Sequence, residues 1–176
     1  MLKNTNEMYG NVAKFLHWLI FILLFFMIIL GFFLGDIPKD YQFFAYNMHK
    51  LTGLTILVLM ILRGLWALIN IKPALPSDTL PWQRSLERSV HLLLYFTVLA
   101  MPIAGWVGSA AAGRPPRIGS LALNLPIAPN KALVETSFQI HYLLAILLIT
   151  LFCVHVGAAL YHHYIRKDQI LHRMLP

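Results

Sequence analysis

The histidines are the residues of this sequence whose type and placement could do chemistry. Eight are present, and five of them lie in or just inside long apolar runs: His17, His49, His91, His141 and His155. A neutral imidazole can bind a metal ion, and its ring nitrogens can donate or accept a proton near neutral pH. Because an ionisable side chain is costly in lipid, histidines in such runs indicate a functional site. The sequence thus points to metal or proton chemistry within an apolar protein.

The elements that must position these histidines are four apolar runs. Of the 176 residues, 59% are hydrophobic and only 12% are charged, which is too little charge to cover the surface of a soluble domain. The runs cover about residues 15–34, 43–69, 89–112 and 138–164, and each reaches the roughly 20 residues that cross a bilayer. They predict an all-α membrane protein, a four-transmembrane-helix bundle that forms a single domain over residues 1–176.

The basic residues predict the orientation of the bundle. The N-terminus, the second loop and the C-terminus hold nine of the 14 Lys and Arg residues, and the first and third loops hold five. This bias favours both termini in the cytoplasm. The net charge of +7 does not indicate a nucleic-acid partner, because the basic residues lie in short loops between apolar runs, where they would contact the headgroups of the lipid bilayer.

Depth in the membrane sorts four histidines into two pairs. With both termini on one side, His17 and His155 lie toward the cytoplasm, whereas His49 and His141 lie toward the opposite face. The two histidines of the fourth run are 14 residues apart, so they share nearly one helix face, with an offset of about 40°, and are separated by about 21 Å. Each pair could hold one metal centre, and the two centres would be stacked along the membrane normal.

The metal predicted for each pair is iron in a b-type haem. The four predicted spans contain no Asp or Glu and only one Cys, so a bare ion would lack ligands. A haem supplies four nitrogens itself and needs only two axial ligands. Gly53 and Gly157, close to His49 and His155, would leave room for a porphyrin. Two alternatives stay open: histidines that only form hydrogen bonds between helices, and a haem-free transporter lined by histidines.

Four segments resemble the bacterial cytochrome b561 family: "LHW" at 16–18, "NMHKLTGLTILVLMILR" at 47–63, "VHLLLYFTVLAMPIAG" at 90–105 and "HVGAALYHHYIRKDQILHRMLP" at 155–176. The resemblance implies a dihaem cytochrome of the bacterial inner membrane, with two non-covalent b haems. His17 and His155 would ligate the cytoplasmic-side haem, and His49 and His141 the periplasmic-side haem. Some members of the family are similar enough to this sequence to suggest that it is a superoxide oxidase, which passes electrons from superoxide to ubiquinone. The alternative is a dihaem membrane anchor for a separate dehydrogenase.

Basic residues beside the periplasmic-side haem are predicted to steer superoxide toward it. They are Lys50, Arg114, Arg117 and Lys131. A positive patch around a redox centre raises the local concentration of a small anion. The alternative is that these side chains bind lipid phosphate or the haem propionates.

Three further residues are predicted to act near the cytoplasmic-side haem. His91 and His162 could each donate a hydrogen bond to a quinone carbonyl and supply a proton when the quinone is reduced. For His162 the alternative is a bond to a haem propionate or to interfacial water. Arg63 is predicted to pair with a propionate, or else to extend its side chain to the lipid headgroups. His163 and His172 receive no role.

Overall fold

The computed structural model describes residues 1–76 and 79–175, and four long helices make up most of this part of the chain. They are α1 (Asn11–Phe33), α2 (Lys39–Leu68), α3 (Pro81–Ala111) and α4 (Lys131–Tyr161). All four are long and apolar enough to cross a membrane, which confirms the predicted number and type of spans. Pro176, the last residue of the C-terminal segment quoted above, lies outside the described residues.

Two helices begin well before the predicted apolar spans. Helix α3 begins at Pro81 rather than near residue 89, and α4 begins at Lys131 rather than near residue 138. A proline in the first turn suits a helix start, since its missing N–H would have no partner there. The side chain of Asn130 caps α4 by accepting a hydrogen bond from the backbone N–H of Leu133 at 3.0 Å. Both helices therefore carry polar residues beyond the apolar run.

The helices pack in the order α1–α2–α3–α4, with the most extensive contact between α3 and α4. The buried core lies at mid-bundle and consists of Ile20, Leu24, Ile56, Met60, Val98 and Leu148. Many large apolar side chains on the outside of the bundle are exposed, such as Phe26 at 63% and Leu143 at 58%. That pattern suits a protein whose outer surface is solvated by lipid.

At one end of the bundle, which we call the termini end, three segments meet. The N-terminal segment joins the α2–α3 connection, where Asn4 donates to the carbonyl of Ile71 at 2.8 Å. The C-terminal tail contacts α1 and the α2–α3 connection. The Trp18 indole of α1 donates to the carbonyl of Met174 at 2.8 Å, and Arg173 donates to the carbonyl of Ala74. The placement of this end in the cytoplasm stays a prediction from the count of basic residues.

The opposite end, which we call the hairpin end, is covered by the α3–α4 connection. It contains two short antiparallel strands, β1 (Arg117–Ile118) and β2 (Leu121–Ala122). The Asn47 side chain holds this hairpin to α2, because it donates to the carbonyl and accepts from the N–H of Arg117, both at 2.8 Å. The Trp106 indole adds a bond to the carbonyl of Leu123 at 2.9 Å. The connection is thus fastened to both α2 and α3.

Candidate functional site

The structure brings together both histidine pairs that depth predicts. Near the hairpin end, the rings of His49 on α2 and His141 on α4 have centroids 6.3 Å apart. Near the termini end, the rings of His17 on α1 and His155 on α4 have centroids 6.1 Å apart. Two imidazoles on opposite sides of one metal ion, each with a nitrogen about 2 Å from it, have ring centres about 6 Å apart. Both spacings therefore fit a shared metal centre.

The hairpin-end pair lies in a cavity of about 500 Å³ among α1, α2, α3 and α4. Its lining is mostly apolar and includes Gly31, Gly53 and Gly105, and the fully buried Pro116 of the α3–α4 connection lies against it. The cavity combines apolar walls, several glycines and two opposed imidazoles. Such a space suits a flat, largely apolar group held by a few polar contacts.

Helix α3 sets the orientation of His141. Its Nδ1 donates a hydrogen bond to the carbonyl of Met101 at 2.8 Å, so the lone pair for a metal is on Nε2. The ring lies so close to Gly105 that a Cβ there would be 3.0 Å from Nδ1. Glycine at this position lets the imidazole rest against the helix backbone.

His49, the other histidine of this pair, has a ring nitrogen without a hydrogen-bond partner. Its Nδ1 is buried and has no hydrogen-bond partner within residues 1–76 and 79–175. A buried polar nitrogen without a partner is unfavourable unless another group completes it. In the same described part of the chain, no cluster of three or more His, Cys, Asp or Glu side chains could hold a bare metal ion. Two donors per centre fit haem, which brings four nitrogens of its own.

At the termini end a third histidine joins the pair. The ring of His91 on α3 lies 5.2 Å from that of His155, centroid to centroid. One turn farther from the termini end, the ring of Phe21 on α1 stacks on that of Phe152 on α4, with centroids 5.5 Å apart. His91, predicted to serve a quinone, therefore lies directly beside the proposed ligands.

A carboxylate that the sequence reasoning missed holds His91 in place. Oε1 of Glu87 accepts from Nδ1 of His91 at 2.6 Å and from Nζ of Lys72 at 2.7 Å. Glu87 lies two residues before the predicted third span, and it belongs to the same helix as His91 because α3 begins at Pro81, eight residues earlier than the apolar run. The spacing of Glu87 and His91 by four residues on one helix was the signal that could have found this pair.

His162 has a carboxylate partner as well. His162 is the C-terminal cap of α4, and from His162 to Arg166 the chain forms a π-helical turn. Its Nδ1 donates to Oδ2 of Asp168 at 2.5 Å. The structure joins His162 to the C-terminal tail, whereas it places His91 beside the histidine pair of the termini end. On the same tail, the rings of His163 and His172 have centroids 5.2 Å apart.

The pKa of the Asp168 carboxyl is lowered from its ordinary value. Burial alone would raise this pKa, but the hydrogen bond from His162 and a second one from the backbone N–H of Ile170, at 3.0 Å, favour the charged form and outweigh burial. The nearby guanidinium of Arg166, whose Nε is 3.7 Å from Oδ2, acts in the same direction. Asp168 is therefore a stable carboxylate at neutral pH.

Arg63, predicted to bind a propionate, has a protein partner. Its Nε donates to the hydroxyl of Tyr95 at 3.2 Å, and its guanidinium lies 5.9 Å from the centre of that ring. A cation in this position is attracted to the face of the aromatic ring. The contact fixes Arg63 against α3 at the termini end, and its role toward a propionate stays a prediction.

The four basic residues predicted to steer an anion are not equivalent. Nζ of Lys50 lies at the cavity and donates to the carbonyl of Arg114 at 2.7 Å, so it also anchors the α3–α4 connection. Arg114 and Arg117 are exposed at the hairpin end. Lys131 is 92% exposed and pairs loosely with Glu135 at 3.8 Å. Three of the four residues thus lie on or against the connection that covers the histidine pair.

Comparison with known proteins adds a family to this geometry. A family model described as prokaryotic cytochrome b561 matches residues 8–176. The chain is 32% identical over 176 residues to "Cytochrome b561 homolog 2" of Escherichia coli (strain K12), covering 98% of this chain and 93% of that protein. It is 30% identical over 171 residues to "Probable superoxide oxidase CybB" of Yersinia pestis, covering 97% of each. The chain therefore belongs to the prokaryotic cytochrome b561 family, multi-pass bacterial membrane proteins that carry b-type haem and transfer electrons across the membrane.

Proposed function

We propose that the protein is a superoxide:ubiquinone oxidoreductase of the bacterial inner membrane. Superoxide would give up an electron at the hairpin end, facing the periplasm, and ubiquinone would accept electrons at the termini end, facing the cytoplasm. The observation that carries this proposal is the presence of two opposed histidine pairs, one near each end of the same bundle, with ring centroids 6.3 Å and 6.1 Å apart.

The ligands proposed for the two haems are the four paired histidines. His49 and His141 would hold the haem of the hairpin end, and His17 and His155 that of the termini end. When bound, each b haem would supply an iron that alternates between two oxidation states and so passes on one electron at a time. The helices keep each imidazole pair fixed and shield it from water by the apolar side chains around it.

The hairpin end supports a small anionic donor. Lys50, Arg114 and Arg117 place positive charge on or against the connection that covers the cavity. Such a field raises the encounter rate of an anion with the site. The relative from Yersinia pestis, named a probable superoxide oxidase, supports superoxide as that anion.

The termini end supports an acceptor that takes up protons. Reduction of a quinone to a quinol consumes two protons with its two electrons, whereas oxidation of superoxide to dioxygen releases no proton from the anion. Both carboxylate–histidine pairs recorded in the described chain, Glu87 with His91 and Asp168 with His162, lie at the termini end. Histidine beside a carboxylate is a common proton donor and acceptor.

A superoxide pulse applied to the purified, haem-loaded protein tests this function. We expect the haem to be reduced within the lifetime of the pulse with no partner protein present, and to be reoxidised when a short-chain ubiquinone is added. Reduction that requires an added dehydrogenase would contradict the proposal and support the alternative, a dihaem membrane anchor. Superoxide dismutase added before the pulse is the control, because it must abolish the signal.

A further inference from the structure

The C-terminal tail holds a carboxylate–histidine pair whose geometry is built by an irregular turn. The chain leaves α4 through a π-helical turn, His162–Arg166, and Lys167 then adopts the left-handed conformation with φ 53°. Residues other than glycine rarely adopt that backbone conformation, and π-helical turns recur at functional sites. The two irregularities bring Asp168 back onto His162.

The pair is sheltered and rigidly held. The side chains of His162 and Asp168 are only 19% and 17% exposed, and their 2.5 Å contact is short even for a charge-assisted hydrogen bond. Oδ1 of Asp168 accepts from the N–H of Ile170 at 3.0 Å, and Nε of Arg166 lies 3.7 Å from Oδ2. With both carboxylate oxygens engaged, Asp168 has little freedom to turn away from the imidazole.

The tail that carries Asp168 is anchored beside the histidine pair of the termini end. The indole of Trp18 donates to the carbonyl of Met174 at 2.8 Å, and its ring packs edge-on against His17 at 5.6 Å. The Asp168–His162 pair is therefore held at the termini end of the bundle. The tail that carries Asp168 is bonded to the turn of α1 that contains His17, a proposed haem ligand.

We infer that Asp168 is a positioning residue for quinone reduction, which holds His162 so that Nε2 is the one ring nitrogen free to donate a proton to the quinone oxygen. The inference rests on the proposed function. Because Nδ1 is committed to Asp168, the ring cannot present that nitrogen to a substrate. For a metal-bound histidine, substitution of the outer partner typically lowers activity about 10–100-fold, and we expect a loss of the same order for His162.

The step balances in electrons and protons. Two superoxide ions are oxidised to two molecules of dioxygen, and their two electrons reduce one ubiquinone. The step requires the imidazolium form of His162, with one N–H bonded to Asp168 and the other directed at the quinone. As the quinone oxygen becomes negative, its O–H bond forms while the Nε2–H bond breaks, which leaves a neutral imidazole whose Nδ1–H still bonds Asp168. His162 regains a proton from the aqueous phase, and a second proton from the aqueous phase follows the second electron to the other quinone oxygen. Asp168 itself stays a carboxylate throughout.

Charged and titratable groups around the pair come from the tail, the π-helical turn and the last residue of α4. Arg166 faces the carboxylate, Tyr161 packs edge-on against the His162 ring at 5.9 Å, and His163 packs on His172 of the tail. Arg173 reaches from the tail to the carbonyl of Ala74. The pH dependence of the step therefore belongs to this group of residues, in which Asp168 is the partner bonded directly to His162.

The test uses the haem-loaded, full-length protein and its Asp168→Asn, Asp168→Glu and His162→Gln variants. We expect D168N to keep the wild-type haem content and the wild-type rate of haem reduction by superoxide. Its kcat with short-chain ubiquinone should fall about 10–100-fold, with a changed pH profile. D168E, which restores the charge, should recover most of that loss, and H162Q should be as slow as D168N. Asp40→Asn, an exposed carboxylate at the start of α2, is the matched control and should behave as wild type.

A binding measurement gives a readout apart from turnover. Equilibrium dialysis of oxidised protein with short-chain ubiquinone should show severalfold weaker binding to D168N and H162Q than to D40N. If D168N matches wild type in kcat, KM and pH profile, the inference is wrong. It is also wrong if D168N and D168E lose haem in parallel with activity while H162Q reduces ubiquinone normally, because Asp168 then only fastens the tail. A wild-type protein that passes no electrons to ubiquinone overturns the proposed function and this inference together.

Discussion

The two ends of the bundle surround the same pair of imidazoles with different chemistry. At the hairpin end, Nδ1 of His141 bonds the backbone carbonyl of Met101, and the nearest charges are basic side chains of the loop and of Lys50. At the termini end, His91 adjoins His155 and bonds Glu87, and His162 bonds Asp168. The first end places basic side chains beside its histidine pair, and the second combines carboxylates with imidazoles. On the proposed function, electrons would travel alone at the first end and with protons at the second.

Removal of one ligand from each pair should separate the two ends, with the largest effect of all. His141→Ala should lose the hairpin-end haem and its response to superoxide, while the remaining haem still exchanges electrons with ubiquinol. His155→Ala should do the reverse: superoxide still reduces the remaining haem, but ubiquinone no longer reoxidises it. Haem content and stopped-flow absorbance measure both variants. If either variant keeps two haems, the assigned ligands are wrong.

Glu87→Gln should affect the termini end alone. Loss of the carboxylate charge weakens its hold on His91 and on Lys72, so we expect quinone reduction to slow about 10–100-fold. Haem reduction by superoxide should stay at the wild-type rate. The comparison of the two half-reactions in one stopped-flow experiment checks this, with Glu135→Gln at the hairpin end as the matched carboxylate control. Equal slowing of both half-reactions would contradict the division between the ends.

Gly105→Ala should affect the hairpin end alone. The added Cβ would lie 3.0 Å from Nδ1 of His141, so the imidazole must move and its bond to Met101 must weaken. We expect haem at this end to bind about tenfold more weakly, as measured by retention during dilution in detergent. Gly35→Ala, in the connection between α1 and α2, is the control, because a Cβ there meets nothing within 4 Å and should leave both haems in place. Equal retention in the two variants would show that the close approach of His141 to α3 is unimportant.

Neutralisation of Arg114 and Arg117 should have a smaller effect on the donor side. We expect the second-order rate of haem reduction by superoxide to fall up to about tenfold at low ionic strength, with a flatter salt dependence. Lys131→Ala should change little, because that side chain is 92% exposed and already faces Glu135. Unchanged rate and salt dependence in the double arginine variant would show that these residues do not steer the donor.

The smallest expected effect is on stability at low pH. The pKa of Asp168 is lowered in the folded protein, so its contribution is present above the ordinary value, about 4, and is lost as the pH falls through the folded pKa. The tail should therefore become sensitive to carboxypeptidase as the solution is acidified below about pH 4. D168N should lack this step, because its amide does not titrate. A step of equal size in D168N would contradict the role of the carboxylate.

The four spans and both histidine pairs could be predicted from the sequence, because apolar runs and the depth of a residue within them can be read without a structure. Glu87 was missed, because the part of a helix that extends beyond the hydrocarbon region is not apolar and so is not marked by hydropathy. Gly105 was also missed, although Gly105 and His91 on α3 are 14 residues apart, as are His141 and His155 on α4. The Asp168–His162 contact depends on a π-helical turn and on a left-handed Lys167, which local propensity does not indicate. Depth therefore predicts the paired histidines better than it predicts their supporting side chains.

The haem content of the purified wild-type protein tests the central claim most directly. A pyridine haemochrome assay set against the protein concentration counts b haem per chain without reference to any donor or acceptor. Four imidazoles from α1, α2 and α4, arranged as two pairs, predict two haems per chain. One haem or none in fully loaded protein would contradict the account.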